Sequence, residues 1–143
     1  MLGPGDTDEE VYLQDCVTID DTDLAAEFTR LAADLAWWNM RLAEAERDHY
    51  VAKVAVKQAE ASATLAAPER LAERGVKATV ATIEATVQRM PSVQDAHVVA
   101  ADRLHDLKRV KGVAEAISTK RDMLISLGAQ LRREMSTGST YDD

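Results

Sequence analysis

Residues 24–65 read LAAEFTRLAADLAWWNMRLAEAERDHYVAKVAVKQAEASATL, and neither Gly nor Pro interrupts them. Leu24, Phe28, Leu31, Leu35, Trp38, Leu42, Ala45, His49, Ala52, Val56, Ala59 and Ala63 recur there at alternating intervals of four and three. Eleven of these twelve positions are apolar, against 46% of the whole chain. A period of 3.5 residues held over more than five heptads is the pattern of a coiled-coil seam. Asp20 is placed to cap free backbone N–H groups at the start, and Pro68 follows the far end. The stretch therefore predicts one helix of roughly 44 residues, about 66 Å long at 1.5 Å per residue. Its second half is mostly Ala, which allows close approach but buries little area for a single partner.

Two further helical segments follow. Pro68 to Gln88 repeats the four-three spacing at Val76, Val80, Ile83, Val87 and Met90, with a weak point at Gly75 and a stop at Pro91. Ser92 with Asp95 offers a new cap, and a third helix is expected from Val93 to about Met135. Its seam reads Leu107, Val110, Ala114, Ile117, Arg121, Leu124, Gly128, Leu131 and Met135, widened by Val113 and Leu127. Arg121 interrupts this apolar row, as a charge does when it fixes register by pairing with a carboxylate on another helix. Gly128 in the middle of a helix costs about 1 kcal/mol relative to Ala, which a close helix crossing would explain.

Composition agrees with an all-α chain. Among 143 residues there are twenty-four Ala but only six Gly, three Pro and six aromatics, too little turn and β chemistry for a sandwich or an α/β domain. The expected architecture is a long antiparallel helical hairpin with a shorter middle helix, assembling through its seams as a homo-oligomer. A monomeric three-helix bundle is the alternative. Residues 1–18 read as an acidic flexible arm that docks through Val11, Tyr12 and Leu13. Residues 19–135 read as the helical domain, and residues 136–143 as a disordered tail.

Cys16 is the sole cysteine, so no internal disulfide and no cysteine-based zinc cluster can form. His49 lies on the first seam as a packed histidine. His97 and His105, near Asp102 and Asp106, have neither the i, i+4 His pairing nor the HExxH order of a metal or acid–base site. No phosphate-binding glycine loop or nucleophile elbow is present, and the reading is of a protein without enzymatic activity, metal or cofactor. No run of about 20 apolar residues and no basic, apolar leader is seen, so a soluble, cytoplasmic protein is expected.

The formal charge of −8 is unevenly spread: residues 1–30 carry −8, residues 31–100 carry −1, residues 101–133 carry +4 and residues 134–143 carry −3. The locally basic stretch holds Lys108, Arg109, Lys111, Lys120, Arg121, Arg132 and Arg133. Repeated around an assembly, such charges form a track for phosphates, although on a lone helix they are an ordinary solvated face. Trp38 anchors the first seam. Trp37 lies on its flank, for a neighbouring subunit or a nucleobase.

Val17-Thr18-Ile19-Asp20-Asp21-Thr22-Asp23-Leu24, followed by Glu27 and by Trp38 fourteen residues after the leucine, resembles the opening of UvsY-like bacteriophage recombination mediators. Gly112-Val113-Ala114-Glu115-Ala116-Ile117 is similar to a segment of that family's last helix. The resemblance implies a phage protein of the host cytoplasm that forms a ring and binds single-stranded DNA. It further implies help in loading a RecA-type recombinase onto strands covered by single-strand-binding protein. The family's basic cluster late in the first helix is thinned here to Lys53 and Lys57, which shifts the expected contacts toward residues 108–133.

The expected DNA-binding set is thus Lys53, Lys57, Lys108, Arg109, Lys111, Lys120, Arg132 and Arg133. An antiparallel hairpin gathers Lys53, Lys57, Lys108, Arg109 and Lys111 near its turn. The expected oligomerisation set is Leu24, Phe28, Leu31, Leu35, Trp38, Leu42, Ile117, Arg121, Leu124 and Leu131. The competing reading is a self-assembling structural or scaffolding protein with protein partners only.

Overall fold

A computed structural model describes residues 14–138. Among them the chain is all helical, without strands. A helical turn at residues 14–17 precedes α1 (Leu24–Glu73), α2 (Val80–Arg89) and α3 (Pro91–Gly138). Residues 1–13 of the expected arm, with its Val11–Leu13 patch, and residues 139–143 of the expected tail lie outside the described residues. Residues 136–138 belong to α3 rather than to a disordered tail.

Each helix boundary follows from local chemistry. Asp23, not Asp20, caps α1, its carboxylate accepting the Ala26 N–H at 3.1 Å. Asp20 instead closes a turn before the helix by accepting the backbone N–H and the hydroxyl of Thr22. Those two hydrogen bonds, the hydroxyl's foremost, hold its carboxyl below the usual value.

Pro68 does not end α1, which continues to Glu73. An interior proline forfeits a hydrogen bond and costs about 3 kcal/mol. Here it sits on the exposed side while Ala63, Ala67 and Leu71, one turn apart, are buried on the other, so packing carries the helix across. The real stop is Gly75. At φ +69° it takes the left-handed conformation, with Val76 N–H bonded to Leu71 O and Gly75 N–H to Ala72 O. This pair of bonds is a Schellman cap.

Thr79 and Thr82 form a reciprocal capping box that opens α2. Met90, extended as a residue before proline must be, separates α2 from α3 and accepts the N–H groups of Val93 and Gln94. Pro91 is the first residue of α3, where its missing N–H costs nothing, so Ser92 lies inside the helix rather than capping it.

The chain forms two compact units, and α1 and α3 each contribute to both. The first joins α1 up to Leu42 with α3 from Val110. Leu31, Trp38, Val110, Val113, Ala114, Ile117 and Leu124 are buried in it, as is Cys16. Trp37 and Trp38 meet edge to face, ring centres 4.7 Å apart at 85°. The second unit, Ala43–Arg109, has a core of Ala63, Ala67, Val87, Met90 and Val93, with Ala59, Ala66 and Ile83 against it. Gly128 marks no close crossing, since a Cβ there would meet nothing within 4 Å.

Candidate nucleic-acid interface

In the first unit the inward face of α1 is rotated from the expected seam. Its buried residues are Glu27, Leu31, Asp34 and Trp38. Phe28 remains 39% exposed, and Leu24, Leu35 and Leu42 are only half-buried. The fold thus turns two acids inward and leaves an apolar flank beside them. On α3, Ile117 and Leu124 are fully buried while Leu131 is 37% exposed.

The inward acid explains the fate of the basic residues. Lys120, expected on a phosphate track, is only 2% exposed, and its Nζ lies 2.8 Å from Glu27 Oε2. Arg30 adds a second contact, 2.8 Å from Glu27 Oε1 at the surface. Burial pushes the Glu27 carboxyl upward. The hydrogen bond from Lys120, the Asp20 backbone N–H and the charges of Lys120 and Arg30 together outweigh it, and the net shift is downward. Arg121, expected as the seam charge, is exposed and meets its neighbour Asp122 at 3.3 Å. The charge pairing across helices exists, but one residue earlier.

Lys53, Lys57, Lys108, Arg109, Lys111, Arg132 and Arg133 are all exposed. Lys53, Lys57, Lys108 and Arg109 belong to the second unit, and Lys111, Arg132 and Arg133 to the first. Within the second unit the register of α1 against α3 is marked by Glu60 Oε1, which lies 3.4 Å from His97 Nε2. Antiparallel counting from that pair sets Lys53 opposite residue 104, about one turn from Lys108. These residues do not lie at the turn, however. Because α1 runs on to Glu73, Lys57 is about 24 Å along the helix from its end.

Besides Lys77, the basic residues that do lie at the turn are Arg70, Arg74 and Arg89. With Leu71, Thr86 and Met90 they line a recess of about 90 Å³. The sequence hides them among acids, Glu69, Glu73 and Glu84, in a stretch of nearly zero net charge. A larger groove of about 450 Å³ in the same unit is lined by Glu60, Thr64, Val80, Ile83, Glu84, Val87 and Gln88. Among the described residues no group of three or more His, Cys, Asp or Glu stands close enough to hold a metal ion, and no helix is long and apolar enough to cross a membrane.

No protein-family model, no curated protein and no solved structure matches the chain.

Proposed function

We propose that this protein is a non-enzymatic, self-assembling recombination mediator. It binds single-stranded DNA and helps load a RecA-type recombinase onto strands held by single-strand-binding protein. The observation that carries the assembly half is the rotated face of α1: with Glu27 and Asp34 inward, Phe28, Leu35 and Leu42 form an apolar flank that a second copy would cover. Support for the DNA half comes from the exposed Lys53, Lys57, Lys108 and Arg109 on one compact unit, and from the resemblance in the opening and α3 segments. A scaffold that binds only protein is the second reading, favoured by the net charge of −8.

A salt titration of binding to single- and double-stranded oligonucleotides separates the two. The mediator reading expects preferential single-strand binding whose log–log slope against salt is about −0.7 per phosphate neutralised. Absence of binding at low salt leaves the scaffold. Phe28→Glu with Leu35→Glu is expected to lower the mass seen by light scattering, and a wild-type monomer at tens of micromolar would remove the assembly half.

A further inference from the structure

We infer that the recess between the end of α1 and the end of α2 is a binding site for a phosphate group, with Arg70, Arg74 and Arg89 as its cationic wall. Three arginines line one small recess there, and no ion pair to a described residue engages any of them. Like charges gathered without an ion pair repel one another, and the local fold offsets this. Arg70 lies in the last turn of α1 and Arg89 in the last turn of α2, where the negative ends of the helix dipoles favour cations. The same ends oppose an anion, so the arginines' charges must outweigh them for a phosphate to bind. Arg74, just beyond the end of α1, is held in place by the Gly75 cap. Glu69 and Glu73 line an adjoining groove beside Arg70 and Arg74 yet pair with neither.

The other walls suit the same ligand. Leu71 and Met90 are buried and form the apolar part of the lining, while the three arginines are exposed and within reach of a ligand from solution. The recess is small beside the 450 Å³ groove of the same unit, and its three arginines stand around one opening to solvent. Arginine forks match phosphate oxygens in pairs, and three of them supply more donors than one phosphate can accept. A backbone phosphate of single-stranded DNA and a free phosphate share this chemistry. The DNA source rests on the mediator reading; the phosphate site itself does not.

The test uses the full chain and the triple variant Arg70→Gln, Arg74→Gln, Arg89→Gln, which keeps helix formers at exposed positions. Two probes are titrated: a 5′-labelled oligothymidylate followed by anisotropy, and inorganic pyrophosphate followed by calorimetry. A drop of at least about tenfold in oligonucleotide affinity, with a salt slope flatter by about 0.7 for each phosphate no longer neutralised, assigns the site to the nucleic-acid backbone. Pyrophosphate binding that disappears in the variant, with no oligonucleotide binding by the wild type, keeps the phosphate site and removes the mediator reading. Oligonucleotide binding unchanged in the variant, together with no pyrophosphate binding, overturns the site and leaves the mediator reading standing. Should the triple variant lose helicity by circular dichroism, the single Arg89→Gln is read the same way, with a slope change of about one phosphate.

Discussion

The two units of this chain use opposite means to hold their helices. The first buries a tryptophan, an isoleucine, leucines and a charged pair, Glu27 with Lys120. The second packs alanines of α1 against Val87, Met90 and Val93, with no buried charge among its described residues. Large side chains keep helices apart and leave room for a charge between them; alanines draw helices together and leave none. One long helix can therefore serve both purposes by changing residue size along a constant spacing.

The sharpest way to break this contrast is to remove one charge of the buried pair. Lys120→Ala leaves Glu27 enclosed without its main counter-charge, and unfolding by heat or denaturant is expected to show a loss of about 3–5 kcal/mol. Replacing both residues with Met is expected to recover most of it, since the cost is that of a stranded charge rather than of a missing attraction.

Volume changes of opposite sign are expected to destabilise the two units. Ile117→Ala creates a void in the first and should cost about 2–5 kcal/mol. In the second, Ala67→Leu overfills a contact where the native side chain is 0% exposed, costing about 1–3 kcal/mol. Unchanged denaturant midpoints with larger residues at Ala63 and Ala67 would refute the distinction. A smaller effect is expected at the cap: Gly75→Ala forces a side chain into left-handed backbone and should cost about 1–2 kcal/mol.

The smallest expected effect is the pH response. The Glu27 carboxyl is held below its ordinary value of 4.5 in the folded chain. Its contribution is therefore complete above that value and fades as pH falls through the lowered folded one. Hydrogen-exchange protection in α3 around Lys120, taken relative to the intrinsic rate at each pH, should fall on acidification before protection around Val87 and Met90 does. The reverse order would place the acid sensitivity elsewhere.

The helical class and the heptad stretch are legible in the sequence because residue spacing reports directly on helix faces. Leu31, Trp38, Ala45, Ala52 and Ala63 of the expected seam are buried, whereas Leu24, Leu35, Leu42, His49, Val56 and Ala59 are half-buried and Phe28 is exposed. The choice between i+3 and i+4 is not legible. From Ile117, both Lys120 and Arg121 fall on the same side, and from Leu24 both Glu27 and Phe28 do. The pairing of Lys120 with Glu27 decides both at once, and that is a fact about two helices together. Pro68 misleads for a related reason, since its intrinsic cost is outweighed by tertiary burial of Ala67 and Leu71. The turn arginines stay hidden because net charge along the sequence averages over faces that the fold separates.

The edge-to-face pair of Trp37 and Trp38 has an optical consequence. Two indoles with centres 4.7 Å apart and planes nearly perpendicular are close enough for their electronic transitions to couple, which gives a paired band of opposite signs in circular dichroism. The sequence contains no other tryptophan, so that signal belongs wholly to one unit. The chain thus carries its own label: the couplet reports the unit with the buried ion pair, while the helical far-ultraviolet signal reports both.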